Sequence, residues 1–173
     1  MPFPFRQLLA VGLALMSFHA AGQSPAAIPN LRALTRNSGY IFDGTVLAVE
    51  RVAPNDESMV PAVQITFRVE QAMRGTRNGQ ILTIREWAGL WNSGDRYQPG
   101  ERLLLFLYSP GKLGLTSPVG GPWGRFAVDS GGNIVSENVA LLALDTVLSR
   151  QSRQKNRIST RALAVAIRRT DAY

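Results

Sequence analysis

The residues with chemistry to offer are acidic, aromatic or arginine. The chain has no cysteine and a single histidine, His19. Thiolate metal sites and thiol nucleophiles are therefore excluded. His19 falls in a segment expected to be removed, which also excludes a Ser-His-Asp mechanism and an ordinary zinc site. Carboxylate chemistry is what remains. A glycosidase needs two carboxylates facing across a cleft at a set separation, and Asp43, Glu86, Asp95 and Glu101 are the available members. Their spacing sets no two of them face to face, and the eleven acids of residues 23–148 are balanced by eleven bases, as in ordinary surface pairing. The run Asp129-Ser130-Gly131-Gly132-Asn133 places two oxygen ligands four apart. It lacks the further acids of a calcium loop and has the residue types of a tight turn. Gly120-Gly121-Pro122-Trp123-Gly124 precedes a strand, so it does not cradle a phosphate at the start of a helix. The sequence predicts no catalytic residue, no metal and no cofactor.

Binding chemistry is better represented. Trp87, Trp91, Arg96 and Tyr97 fall within one connection between strands, and Pro122-Trp123-Gly124-Arg125 adds a third tryptophan and another arginine. Aromatic and arginine side chains are the usual anchors of interfaces. Trp87, Trp91, Arg96, Tyr97, Trp123 and Arg125 are therefore the candidate partner-binding set. A competing reading folds the tryptophans back as lids over the ends of the domain, because Trp is mostly buried on average.

A second candidate is electrostatic. Residues 149–173 carry Arg150, Arg153, Lys155, Arg157, Arg161, Arg168 and Arg169 against Asp171, while residues 23–148 are neutral overall. Such a segment suits an anionic lipid surface or an acidic polymer. It also reads as a solvated helix face. It has no aromatic residue before Tyr173 and hence no stacking platform, so nucleic acid is not an expected partner.

The elements that must position these groups are mainly β. Tyr40–Val52 is rich in β-branched and aromatic residues, with Gly44 at an expected bulge. Val63, Ile65, Phe67, Val69 and Met73 share one parity and Gln64, Thr66, Arg68 and Glu70 the other, the pattern of a half-buried antiparallel strand. Its exit through Asn78-Gly79 into Gln80–Glu86 predicts a hairpin. Leu103–Tyr108, apolar on both faces, reads as a central strand. Arg125–Val128 and Asn133–Val135 flank a second, glycine-tipped hairpin. A short helical turn is expected over Asn30–Arg36. Asn138–Ser149 reads as helix, with a further strand as the competitor, and Gln151–Arg157 as linker. Ser159 is placed to cap a last helix through Arg169 with Leu163, Ala166 and Ile167 on one face.

Residues 1–22 have the form of a secretory signal. Arg6 precedes an apolar run from Leu8 to Phe18, and Ala20, Ala21 and Gly22 suit cleavage before Gln23. That run is too short for a bilayer that needs roughly 20 apolar residues. The expected organisation is a cleaved signal (1–22), a leader (23–37), a small antiparallel β-barrel (38–136) and a basic helical segment (137–173). The expected location is a periplasm or the cell exterior, with no membrane span after cleavage.

The runs Tyr40-Ile41-Phe42-Asp43-Gly44-Thr45-Val46, Val63-Gln64-Ile65-Thr66-Phe67-Arg68-Val69 with the Arg74-Gly75 exit, and Gly100-Glu101-Arg102-Leu103-Leu104-Leu105-Phe106-Leu107 carry a resemblance. Over roughly residues 38–128 the chain resembles the netrin-like domain, the OB-type barrel of the tissue inhibitors of metalloproteinases and related bacterial exported proteins. The resemblance implies an OB-type barrel over those residues. It transfers no inhibitory residue, because those inhibitors chelate the protease zinc with an N-terminal cysteine that this chain lacks. The expected function is that of a secreted, non-catalytic binding module whose partner is a protein or an extracellular polymer. Attachment to an anionic surface through the basic tail is the alternative.

Overall fold

Alternation of apolar and polar residues builds the central hairpin. β1 (Tyr40–Val52) and β2 (Ala62–Arg74) pair antiparallel along their whole length, from Ile41 opposite Arg74 to Val52 opposite Ala62. The computed structural model describes residues 30–54, 60–92, 94, 96–135 and 158–170, without the side chains of residues 169 and 170. The signal segment, the helix or strand expected over 138–149 and the linker 151–157 lie outside the described residues. So do residues 23–29 of the leader.

The β1–β2 register slips three times, between Ile41 and Phe42, Asp43 and Gly44, and Val46 and Ala48. Bulges of this kind bend a strand and increase its twist. At Gly44 a Cβ would stand 2.9 Å from the Arg68 carbonyl oxygen and 3.0 Å from the Phe42 ring, so the bend expected there depends on glycine. β3 (Ile81–Trp87) pairs with β2 only as far as Ile81 opposite Arg68. The foreseen hairpin is therefore present with a longer return than two residues. The Ala72 N–H donates to the Asn78 side-chain oxygen at 2.6 Å and the Gly79 N–H to the Val69 carbonyl at 2.8 Å.

β4 (Arg102–Leu107) lies on the other side of β1, and β5 (Arg125–Ala127) pairs with β4. The strand order β3-β2-β1-β4-β5, antiparallel throughout, sets the fourth strand beside the first, which is a Greek key. The loop after β4 reaches the far edge of β3, where the Thr116 N–H donates to the Arg85 carbonyl at 2.8 Å. β6 (Asn133–Ile134) and β7 (Ile158–Ser159) form a small second sheet. Helix α1 (Leu31–Asn37) is capped by the Asn30 side chain, and α2 (Thr160–Thr170) by the Ser159 hydroxyl, which accepts from the Ala162 N–H. The expected mainly-β fold with a C-terminal helix is the fold of the chain.

At β4 and the first half of β1 the sheet is buried on both faces, which explains the two-sided apolar run of β4. Leu103, Leu105 and Leu107 join Phe42, Val46, Val63, Ile65, Phe67 and Ile84 in one core. Leu104 and Phe106 join Ile41, Phe126, Leu31 and Leu34 of α1, and Leu163, Ala166 and Ile167 of α2 in the other. Asp43, wholly buried, faces this second core's side of the sheet beside Leu104. Arg102 donates to both of its oxygens, at 2.9 and 2.8 Å, and the Thr160 hydroxyl donates to Oδ2 at 2.9 Å. The first residue of α2 is thus hydrogen-bonded to an ion pair between β1 and β4.

Candidate functional site

Glu86 is the centre of the site. Along β3, Ile84 and Glu86 point into the core shared with Val63 while Arg85 and Trp87 point out. Glu86 has no solvent exposure. A buried carboxylate must be hydrogen-bonded or it costs several kcal/mol, and the connection after β3 supplies the partners. The chain turns through a 3₁₀ segment (Ala88–Trp91), fixed at its start by the Ala88 N–H donating to the Pro61 carbonyl at 2.9 Å. This returns the Trp91 Nε1–H to Glu86 Oε2 at 3.2 Å. Further along, the Tyr97 hydroxyl donates to Oε1 at 2.9 Å, and Arg96 Nε stands 3.5 Å from Oε2.

Burial raises the Glu86 pKa above the ordinary carboxylate value, and the Arg96 charge with the Tyr97 and Trp91 donors counters part of that rise. Burial also pushes the Tyr97 phenol well above its usual range, reinforced by the Glu86 charge. Tyr97 therefore remains a donor.

Rings surround the carboxylate. Tyr97 packs edge-on to Phe67 at 5.7 Å and tilted against Trp91 at 5.7 Å. The Arg125 guanidinium lies 4.9 Å from the Tyr97 ring centroid and donates to Glu101 Oε1 at 3.1 Å. Glu101 Oε2 accepts the Gln98 backbone N–H at 3.2 Å. Over this assembly opens a cleft of 460 Å³ lined by Val49, Arg51, Val63, Trp91, Tyr97, Gln98 and Pro99. Its size is that of a small-molecule pocket.

Four of the six aromatic-loop candidates come together here, namely Trp91, Arg96, Tyr97 and Arg125. Trp91 and Tyr97 are 3% and 2% exposed, so they serve as lids on the core. Trp87 does not join them. It continues β3 opposite Ala62, half exposed on the outer face, with its indole over Gly89, where a Cβ would stand 2.4 Å from the ring. Trp123 sits half-buried in the turn Gly121–Gly124, and among the described residues it shares no ring contact or hydrogen bond with the cluster.

Asp43 lies on the sheet's other face, paired with Arg102, and Asp95 lies outside the described residues. Of the carboxylate candidates only Glu86 and Glu101 share a neighbourhood, each held by its own arginine. Arg161 and Arg168 are exposed on α2, whose other face is core. Arg150, Arg153, Lys155 and Arg157 lie outside the described residues, as does the Arg169 side chain. The Asp129 loop is a turn, with Asp129 Oδ1 accepting the Asn133 N–H at 2.8 Å. Among the described residues no three acidic, histidine or cysteine side chains gather to hold a metal ion, and no helix is long and apolar enough to cross a membrane.

Val49, Arg51, Gln98 and Pro99 escaped the sequence reading. Arg51 belongs to the cleft because it sits opposite Val63, a pairing reached only after the three register slips of β1. Glu86 was visible only as an isolated acid. The signal that it is a hydrogen-bonding centre is its place on the apolar parity of β3, followed within eleven residues by two aromatic N–H and O–H donors. No family model matches the chain, and neither a curated protein nor a solved structure matches it.

Proposed function

We propose that this is an exported, non-catalytic binding module built on an OB-type, netrin-like barrel, and that the cleft over Trp91 and Tyr97 is its binding surface. The Greek-key order and the bond from Thr116 to the edge of β3 support the barrel reading. Export rests on the form of residues 1–22. The observation that carries the binding role is the cleft itself, a concave surface of mixed polar and apolar lining whose underlying Trp91 and Tyr97 rings are fixed from behind by Glu86. Such preorganisation lowers the ordering cost of association. The groups that could do acid–base work are engaged in holding those walls, which favours binding over catalysis.

Photo-crosslinking in intact producing cells tests this. A photoreactive residue in place of exposed Gln98 is expected to give a discrete adduct. The same residue in place of Lys112, exposed and outside the cleft, is expected to give none. Adducts of equal yield at both positions, or none at Gln98, would remove the cleft as the binding surface.

A further inference from the structure

Among the described residues, Arg51 is the one charged residue lining the cleft. It is exposed near the end of β1 and makes no hydrogen bond or ion pair among the described residues. The other ionic groups around the cleft are committed. Arg96 faces Glu86, and Arg125 is held between Glu101 and the Tyr97 ring. Both oxygens of Glu86 accept hydrogen bonds from aromatic side chains, and both oxygens of Glu101 are likewise occupied. Among the described residues the cleft therefore combines Val49 and Pro99, set over the buried Val63, Trp91 and Tyr97, with one positive charge that has no partner at its rim.

We infer that the cleft binds an apolar group bearing a carboxylate, the apolar part lying against Val49 and Pro99 above the Trp91 and Tyr97 rings and the carboxylate taken by the Arg51 guanidinium. A guanidinium matches a carboxylate in a two-pronged geometry that an amide or a hydroxyl cannot reproduce. A cationic ligand would meet Arg51 with no available carboxylate among the described residues to balance it. An uncharged apolar ligand would leave the guanidinium partly desolvated and unpaired, which is costly. A cleft of 460 Å³ admits either a small aryl or alkyl acid or the last residue of a peptide chain with its free carboxylate. The inference rests on the cleft being the binding surface.

The test is a nuclear magnetic resonance titration of the full chain with four probes. These are 3-phenylpropionate, its amide, a flexible hexapeptide ending in phenylalanine with a free carboxylate, and the same peptide amidated. The acids are expected to move the signals of Val49, Val63, Trp91 and Gln98 with affinity ~10-fold or more above the amides, as for hydrogen bonds to a charged group. Arg51→Gln, an exposed substitution, is expected to erase that preference while the rest of the spectrum stays in place. Tighter binding of the small acid would identify a small-molecule site, and tighter binding of the peptide a chain terminus. Equal affinity for acid and amide, or binding outside the cleft, would overturn the inference. Absence of binding by all four probes would do the same. If Gln98 still crosslinks in cells in that case, the ligand class is wrong and the binding surface stands. If crosslinking fails as well, both readings fall.

Discussion

Glu86 shows how one buried charge organises the aromatic segment around it. Its carboxylate has lost its water and gained the Tyr97 hydroxyl, the Trp91 indole N–H and the nearby Arg96. The first of these changes dominates, so the folded protein holds the Glu86 proton to a higher pH than the unfolded chain does. Between the ordinary value of 4.5 and the raised one, folding takes up a proton at this residue. Its contribution to stability is therefore complete below the ordinary value and declines as pH rises through the window. Urea unfolding of the native chain and of Glu86→Gln over a series of pH values isolates this effect. The native-minus-variant difference in unfolding free energy is expected to fall as pH rises through the window and then to level. A difference that grows with pH instead would mean that the donors outweigh desolvation and that Glu86 behaves as an ordinary paired carboxylate.

Among the elements, the segment following β4 is the least regular and the most dependent on glycine. Pro118 and Val119 run beside β4, bridging Leu107 and Phe106. The chain then leaves through the turn Gly121–Gly124 and resumes as β5 with Arg125 opposite Leu105. The excursion starts and ends at nearly the same point of β4. A Cβ on Gly124 would stand 2.5 Å from the Val119 carbonyl oxygen and 2.9 Å from that of Phe106. Backbone cannot yield as a side chain can. Gly124→Ala is expected to cost about 1–3 kcal/mol, the usual scale of overpacking, and to displace Arg125 from Tyr97. Gly111→Ala, whose Cβ would meet nothing closer than 3.8 Å, is expected to be near neutral. Chemical denaturation midpoints compare the two, and equal midpoints would refute the steric account. This segment also marks where sequence patterns lose their hold. β1, β2 and β4 are legible because alternation or its absence reports which faces are buried. The aromatic connection is not, because Trp87 and Trp91 stand four apart and look like one surface. The strand runs through Trp87 and the 3₁₀ turn begins only after it, which sends the two rings to opposite sides of β3. That choice depends on where β3 ends, and no periodic signal records it.

At the scale of the whole molecule, the two cores share one wall, since alternate residues of β4 feed opposite sides. Helix α2 closes the side opposite the cleft. Its Leu163 and Ile167, with Ile158 just before it, are fully buried, and Thr160 donates to Asp43 at the ion pair with Arg102. Truncating a buried Leu or Ile to Ala costs about 2–5 kcal/mol. Three such losses together match the whole stability of a typical domain, about 5–15 kcal/mol. The basic charge concentrated in residues 149–173 suggests a detachable polyelectrolyte, whereas the packing makes its last helix part of the core. The two views give opposite expectations for a chain ended after residue 157. A detachable tail would leave a cooperative urea transition unchanged or raised, since like charges are removed. A structural helix leaves one face of the shared sheet open, so the transition and the near-ultraviolet circular dichroism of Trp91 and Tyr97 are expected to disappear. Leu163→Ala in the full chain is the graded version, expected to remain folded with a lowered midpoint. If the shortened chain kept its aromatic signal and its cooperative transition, α2 would be an appendage and the cleft would stand independently of it. If both are lost while Leu163→Ala shifts the midpoint without abolishing it, the rigidity of the Trp91–Tyr97 walls depends through β4 on a helix packed against the opposite face of the sheet.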